Sequence, residues 1–162
     1  MKRQVFSLLV ENTSGVLSRI AGLFTRRGYN IDSITAGVTA DDRYSRITVV
    51  VVEDEVVLEQ IEKQLNKKLD IIKVKTFDEA QSISRELMLI KVKYNKNNRK
   101  DIMEICDIMK AEIVDMSKSY LMIQICDIPE RTRLLIQMFQ SVSIVEVART
   151  GTLALQKCVD NE

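Results

Sequence analysis

A repeated order of predicted strands and helices restricts the fold of this chain more than any other feature. Residues 4–78 give segments with strand-like and helix-like apolar spacing in the order β-α-β-β-α-β. Residues 85–158 give the same order again without repeating the sequence, and a short polar linker, residues 79–84, joins the two. The sequence therefore predicts an α+β protein with two ferredoxin-like βαββαβ units in tandem.

Local signals locate the elements of the first unit. Polar residues 12–14 can cap a helix, and Gly28 follows two arginines where that helix should end. Strands are predicted over 30–39 and 44–52, and the second, rich in β-branched residues, is expected to be central. Asp54 is predicted to cap a second helix. The apolar face of that helix is formed by Val57, Ile61, Leu65 and Leu69.

The second unit carries similar signals. Asn98 precedes one helical stripe, and Pro129 occupies a first-turn position that proline tolerates. Residues 142–148 form the last strand, which residues 152–155 are expected to prolong. The apolar face of the helix after Pro129 is formed by Leu134, Leu135, Met138 and Phe139.

Composition excludes several functional classes. The chain has no His, which removes His bases, His-containing dyads and His-ligated zinc. It has no Trp, 5% aromatic residues and a net charge of +1, which disfavours nucleic-acid binding. No apolar run approaches the ~20 residues of a membrane span and no signal peptide is evident, so we expect a cytoplasmic protein without membrane contact. The cysteines at 106, 126 and 158 are predicted to be buried, reduced side chains.

The first candidate site is the junction between the first strand and the first helix. A helix N-terminus leaves backbone N–H groups unpaired and carries a partial positive charge, so a carboxylate can bind there. Gly15 leaves room for the approach, and Asn12 offers both an acceptor and a donor. A simple capped helix with Ser14 as its N-cap explains the same residues and is the commoner arrangement.

The second candidate is Asn30, which lies just before the second predicted strand with a polar side chain free to face outward. A turn asparagine after Gly28 is the alternative explanation. Asp41 and Asp42 are assigned to a turn, because the further ligands of a calcium loop are missing from the sequence around them.

A ferredoxin-like unit covers one face of its sheet with two helices and leaves the other face open. The apolar run 47–52 would then expose side chains to water, which favours association. We therefore expect a homodimer, with two copies stacked by their sheets or joined edge to edge.

Several segments together resemble a known family. They are ENTSGVLSR at residues 11–19, RGYNI at 27–31, SRIT at 45–48, LEQIEKQL at 58–65, RELML at 85–89 and IVEVARTG at 144–151. In this order, over essentially the whole chain, they resemble the small regulatory subunits of acetolactate synthase, also called acetohydroxyacid synthase.

The resemblance implies that the first unit is an ACT domain, a small-molecule-sensing module. It implies a non-catalytic chain, without cofactor or metal of its own, that binds a large catalytic subunit carrying thiamine diphosphate, magnesium and FAD. The chain would raise that subunit's activity and confer feedback inhibition by a branched-chain amino acid, usually valine, in the biosynthesis of valine, leucine and isoleucine.

The resemblance also implies an effector site between the ACT domains of a homodimer. One chain would supply Asn12, Gly15, Val16 and Leu17, and the other Asn30 and Ile31. This agrees with the chemistry of the two candidate segments, and we expect the apolar neighbours Leu9 and Ile34 to hold the aliphatic side chain of the effector.

Three other functions stay open at this point. A stand-alone ACT protein serving another enzyme or regulator would not co-purify with the synthase. An RNA-binding domain of the same topology carries stacking aromatics on its central strands, where this sequence has Ile47-Thr48-Val49-Val50. A small acylphosphatase-type enzyme would show hydrolase activity in the isolated chain.

Overall fold

The structure is a computed structural model that describes residues 1–77 and 80–158. Residues 78 and 79, at the predicted joint of the two units, lie outside the described residues. The predicted α+β class and the tandem ferredoxin-like order are confirmed. The elements are β1 (Lys2–Glu11), α1 (Val16–Arg27), β2 (Ser33–Val38), β3 (Tyr44–Glu53), α2 (Glu55–Asn66), β4 (Ile71–Phe77), β5 (Ser82–Lys93), α3 (Arg99–Met109), β6 (Glu112–Met116), β7 (Tyr120–Asp127), α4 (Pro129–Met138), β8 (Ile144–Arg149) and β9 (Leu153–Gln156).

The chain divides into two compact units at positions that differ from the predicted ones. Among the described residues, the first unit contains 1–77, 80–83 and 152–158, and the second contains Ser84–Gly151. Residues 82–84 of the predicted linker lie in β5. Residues 152–158, which the sequence placed in the second unit, belong to the first.

A four-stranded antiparallel sheet in the order β2-β3-β1-β4 forms the first unit. The predicted central position of β3 is confirmed, since it pairs with β1 along its whole length. Because successive side chains of a strand alternate between faces, Phe6, Leu8 and Val10 of β1 point to one face together with Val49 of β3. These side chains are buried against α1 and α2 and form the main core of the unit.

Helix α1 ends where the sequence predicts. Gly28 has φ 69°, a left-handed conformation that glycine adopts at little cost, and its N–H donates to the carbonyls of Phe24 and Thr25. Strand β2 begins only at Ser33, whereas the prediction had it over 30–39. The residues between Gly28 and Ser33 therefore form a connecting loop.

The opposite face of the first sheet is partly covered, which corrects the expectation of an open face. Strand β9 contacts β1 and β4. Ala154 is 1% exposed and packs with Val5, Val50 and Phe77 in a second apolar cluster. A C-terminal segment of the chain itself thus covers apolar surface that we expected a second copy to cover.

Thr152 holds this segment in place through all of its polar groups. Its Oγ1 accepts from Arg3 Nη2 at 3.0 Å, and its N–H donates to Ser33 Oγ at 3.3 Å. Its carbonyl accepts from Thr35 Oγ1 at 3.3 Å. These bonds to β1 and β2 give the physical reason why residues after Gly151 belong to the first unit rather than prolong β8.

The second unit contains a sheet with the strand order β6-β7-β5-β8. Every second residue of β5, namely Met88, Ile90 and Val92, points into the core that α3 and α4 cover. Pro129 is the first residue of α4, as predicted. Asn98 precedes α3, which also agrees with the prediction.

A buried carboxylate links three elements of the second unit. Glu86 is 4% exposed and accepts from Arg149 Nε at 2.9 Å, from Arg149 Nη2 at 2.7 Å and from Thr132 Oγ1 at 2.6 Å. Burial by itself raises the pKa of Glu86, but the hydrogen bonds from Arg149 and Thr132 outweigh it and hold the pKa below its ordinary value. The ionised carboxylate is therefore the form that this unit favours.

Several side chains lie in other places than predicted. Leu69 is 99% exposed, because α2 ends at Asn66 and the helical period stops there. Leu134 is exposed, since α4 buries the face that contains Leu135 instead. Cys106 is buried, which raises the pKa of its thiol to about 11, whereas Cys126 and Cys158 are exposed. Cys126 follows Ile125, which points to the core from β7, so the side chain of Cys126 points to the other face of the sheet.

Within residues 1–77 and 80–158, every helix is too short or too polar to cross a membrane.

Candidate functional site

The junction between β1 and α1 keeps backbone donors open. Gly15 precedes the helix with φ 79° and ψ 2°, in the left-handed region that favours glycine. The N–H of Val16 donates to the Thr13 carbonyl at 3.3 Å. The N–H groups of Gly15 and Leu17, both exposed residues, have no acceptor among the described residues. They lie at the positive end of the helix dipole, an arrangement suited to a carboxylate.

Helix α1 also lacks the usual means of satisfying its own N-terminus. Like α2, α3 and α4, it has no side-chain cap, so the alternative explanation of a simple helix capped by Ser14 does not hold. Its first turn holds no acidic residue, whereas α2, α3 and α4 have Glu55, Asp101 and Glu130 there. Among the helices of the described residues, α1 alone has no negative charge of its own at the positive end of its dipole.

Asn12 fixes the junction to the neighbouring turn. Its N–H donates to the Arg43 carbonyl at 2.8 Å, and its Nδ2 donates to the Asp42 carbonyl at 2.9 Å. Its Oδ1 has no donor among the described residues, so this acceptor is available to an ammonium group.

That turn is itself held by an ion pair. Arg43 Nη2 donates to an Asp41 carboxylate oxygen at 2.6 Å, and hydrogen bonds from Arg43 hold the pKa of the Asp41 carboxyl below its ordinary value. The assignment of Asp41 and Asp42 to a turn is confirmed. Asn12 therefore rests against a turn with its own internal bonding.

Asn30 and Ile31 lie in the loop between α1 and β2. Asn30 is exposed, and Ile31 is half-buried against the core of the first unit. This loop enters β2 beside Val50, since the Asp32 N–H donates to the Val50 carbonyl at 2.9 Å. The loop thus presents a polar side chain next to an apolar one.

The two candidate segments of one chain lie at opposite ends of the sheet. Asn12 follows Glu11, which pairs with Tyr44, whereas the loop of Asn30 meets β3 at Val50. Val50 lies six positions after Tyr44 on β3, which is about 20 Å at 3.3 Å per residue. Helix α1, with 12 residues, spans about 18 Å between the same two ends. One chain therefore cannot place both asparagines on one ligand of amino-acid size.

The expected apolar neighbours do not share a face of the sheet. Leu9 pairs with Arg46, on the face away from the helices, whereas Ile34 pairs with Val49 and packs against the helix-side core. Successive residues of a strand point to opposite faces. Leu9 and Ile34 of one chain therefore do not line a common surface, and their expected contact with the aliphatic side chain of an effector shared between two chains stays a prediction.

Sequence reasoning missed one residue at the junction, Arg19. Its Nε and Nη2 donate to the two carboxylate oxygens of Asp70 at 2.6 and 3.2 Å. Its Nη1 donates to the Ser14 carbonyl at 3.2 Å, and its Nη2 donates to Thr13 Oγ1 at 3.2 Å. A Cβ at Gly15 would lie 3.1 Å from Arg19 Nη1, so the glycine makes room for this guanidinium. Arg19 and Asp70 are 51 residues apart, and no local pattern could have paired them.

The groups at the junction are suited to binding. Backbone amides and asparagine side chains donate and accept hydrogen bonds without taking up or releasing protons. Within the described ranges, no three Asp, Glu or Cys side chains are placed to hold a metal ion. The N–H groups of Gly15 and Leu17 are donors for an anion, and Asn12 Oδ1 is an acceptor in the same junction.

Comparison with known proteins confirms the resemblance seen in the sequence. A family model described as the small subunit of acetolactate synthase matches residues 85–158, and one described as the AHAS small subunit-like ACT domain matches residues 6–73. The chain is 42% identical over 153 residues to the probable acetolactate synthase small subunit of Archaeoglobus fulgidus, covering 94% of this chain and 96% of the relative. It is 44% identical over 158 residues to the acetolactate synthase small subunit of Bacillus subtilis, covering 97% and 91%.

A solved structure gives the same result for the fold. The crystal structure of the acetolactate synthase small subunit from Thermotoga maritima matches with a TM-score of 0.90 and 32% sequence identity, covering 98% of this chain and 99% of that one. Sequence and structure thus agree over nearly the whole length, and the chain belongs to the family of acetolactate synthase small subunits, with an ACT domain in its first unit.

Proposed function

We propose that this chain is a regulatory subunit that activates the catalytic large subunit of a cytoplasmic acetolactate synthase and makes it sensitive to a branched-chain amino acid. Membership of the small-subunit family supports the partner. The thiamine diphosphate, magnesium and FAD chemistry belongs to that partner, and this chain contributes binding and coupling.

The effector site lies between two copies of the chain. The approximately 20 Å between the two candidate segments of one chain is the observation that carries this proposal, because a ligand of amino-acid size that contacts both segments would need them from two different copies. One copy offers the N–H groups of Gly15 and Leu17 to the effector carboxylate and Asn12 Oδ1 to its ammonium group. The second copy offers Asn30 and Ile31.

Each part of an aliphatic amino acid has a matching group in this site. The open N–H groups at the start of α1 match the carboxylate. The side chain of Val16 is buried in the core and its N–H donates to the Thr13 carbonyl, so Val16 shapes the junction between the two donors. Ile31 is half-buried and presents apolar surface beside Asn30, which suits the aliphatic side chain of a branched-chain amino acid.

A ligand shared between two chains couples occupancy to the geometry of their interface. If one arrangement of the dimer completes the site better than another, the effector shifts the population toward it. A tenfold change in the partner's activity or affinity needs about 1.4 kcal/mol of coupling. Hydrogen bonds to a charged ligand, at roughly 1.5–3 kcal/mol each, are sufficient for this.

The test is reconstitution of the complete enzyme. The purified chain is mixed with its cognate large subunit, and acetolactate formation is assayed with and without valine, leucine and isoleucine. We expect activation by the chain and inhibition that is strongest with valine. If the two proteins do not co-purify while the chain still binds an amino acid, the function is that of a stand-alone sensor and the proposal is wrong.

A further inference from the structure

The start of α1 is flanked by groups that could close it. Thr13 has a hydroxyl and Ser14 has both a hydroxyl and a carbonyl within a few residues of the open N–H groups. Threonine and serine hydroxyls are among the common acceptors for the first amides of a helix. A hydroxyl that capped α1 would use the same donors that a ligand carboxylate needs.

The guanidinium of Arg19 engages both of these residues. Its Nη2 donates to Thr13 Oγ1 and its Nη1 to the Ser14 carbonyl, each at 3.2 Å. The same guanidinium is held by Asp70 through two oxygens, with the shorter bond at 2.6 Å. Such bidentate pairs fix the plane of an arginine as well as its charge. Asp70 lies just before β4, so its bond to Arg19 fixes the arginine relative to the sheet as well as to its own helix.

The backbone at Gly15 fits this arrangement. Its left-handed φ of 79° turns the chain into the helix. A Cβ at this position would lie 3.1 Å from Arg19 Nη1, so the absence of a side chain leaves room for the guanidinium. Asp70 balances the positive charge of Arg19, which leaves geometry as the main effect of the arginine on the junction.

We propose that Arg19 is a positioning residue that keeps the N-terminus of α1 open for a ligand carboxylate. Anchored by Asp70, it occupies the Thr13 hydroxyl and holds Ser14 by its carbonyl, so that neither residue turns in to cap the N–H groups of Gly15 and Leu17. The inference rests on the proposed effector site and adds the device that keeps it available.

The experiment measures L-valine binding to the full chain by calorimetry. Arg19→Met frees the Thr13 hydroxyl, and we expect the Kd for valine to rise about tenfold, a change equivalent to about 1.4 kcal/mol. The double variant Arg19→Met with Thr13→Val also lacks the competing hydroxyl. Its Kd for valine should recover at least a third of the tenfold loss, measured on a logarithmic scale. Thr13→Val alone should stay within about twofold of the wild type, because the open amides are unchanged.

Two further variants separate positioning from general stability. Asp70→Asn keeps Arg19 but weakens its anchor, and should raise the Kd in the same direction by a smaller factor. Arg131→Met is the matched control, since Arg131 and Asp127 form a pair of equal length, 2.6 Å, and similar exposure in the second unit. It should leave the Kd for valine unchanged.

The outcomes distinguish the inference from the function on which it rests. If the wild-type chain binds none of the branched-chain amino acids, the proposed function fails. If it binds valine and Arg19→Met binds equally well, or if Thr13→Val recovers nothing, the role of Arg19 is overturned. If Arg19→Met does not fold, Asp70→Asn decides, and an unchanged Kd for that folded variant overturns the inference as well.

Discussion

The first helices of the two units begin differently, although the units share one topology and neither helix has a side-chain cap. At the start of α1, Gly15 stands in a left-handed conformation and the first turn holds no acidic residue. Before α3, the side chain of Asn95 accepts from the N–H groups of Asn97 and Asn98 at 2.8 and 3.1 Å, and the side chain of Asn98 accepts from the Asn95 N–H at 2.8 Å. Asp101 adds a negative charge in the first turn of α3.

The difference teaches that a ferredoxin-like unit does not by itself make a ligand site. In the second unit the loop satisfies its own amides, and Asp101 repels an incoming carboxylate. In the first unit, Gly15 and Arg19 leave the start of the corresponding helix, α1, open. Sensing of an amino acid is therefore expected at the first unit, and the second unit is not expected to bind one in the same way.

The largest expected effect comes from breaking the scaffold of the open site. Val49 is fully buried on β3 beneath the helices, so Val49→Asp places an unpaired charge in the core and should cost about 4 kcal/mol or more of unfolding free energy. Urea unfolding and light scattering should show an unfolded first unit and lost assembly. Val52→Asp is the control on the same strand, where 39% exposure limits the cost to about 0.5 kcal/mol. Normal stability of Val49→Asp would refute the buried role.

The next effect concerns the open helix start itself. Gly15→Asp places a carboxylate where the effector carboxylate binds, within reach of Arg19 and on a backbone that disfavours a side chain. The valine response of the reconstituted enzyme should vanish while activation survives. Asn98→Asp adds the same charge before α3 and should leave the valine response intact. Full inhibition of the Gly15→Asp enzyme by valine would show that the site is misplaced.

An intermediate effect is expected in the second unit and depends on pH. Glu86→Gln removes a buried carboxylate that accepts from Arg149 and Thr132, and should cost about 2 kcal/mol at neutral pH. Because the pKa of Glu86 is lowered in the folded chain, the stabilisation is present above its ordinary pKa and is lost as the pH falls through the folded value. Unfolding of wild type and variant between pH 7 and pH 3 should therefore converge toward low pH. A difference that stays constant with pH would contradict this role.

The smallest effect is expected at the far side of the proposed site. Asn30→Ala removes polar contacts from the copy that completes it and should weaken valine binding by about 1 kcal/mol, or roughly fivefold. Asn97→Ala changes an exposed asparagine of the second unit and serves as the control. Calorimetry that gives the same Kd for Asn30→Ala and the wild type would count against a site shared between two copies.

Local chemistry explains which parts of the fold the sequence could predict. Gly28 ends α1 and Pro129 begins α4 because their backbone preferences act at the residue itself. Alternation of apolar side chains predicts the strands, including Met88 to Val92 on β5. The helix-side core was largely predictable for the same reason.

Features that depend on distant partners could not be predicted. Residues 153–156 alternate like a strand, but nothing local tells whether they prolong β8 or return to cover Val5 and Val50. The bond between Arg19 and Asp70 joins residues that are far apart in sequence. A helix-start pattern around Gly15 is typical of capped helices as well as of open ones, and the structure shows that Ser14 does not cap α1.

The most direct test is a crystal structure of the chain grown with saturating L-valine. We expect one valine at each junction of a dimer, with its carboxylate within hydrogen-bond distance of the N–H groups of Gly15 and Leu17 and with Asn30 of a second copy against its polar end. A junction without ligand, or a valine bound wholly within one chain, would contradict the shared site.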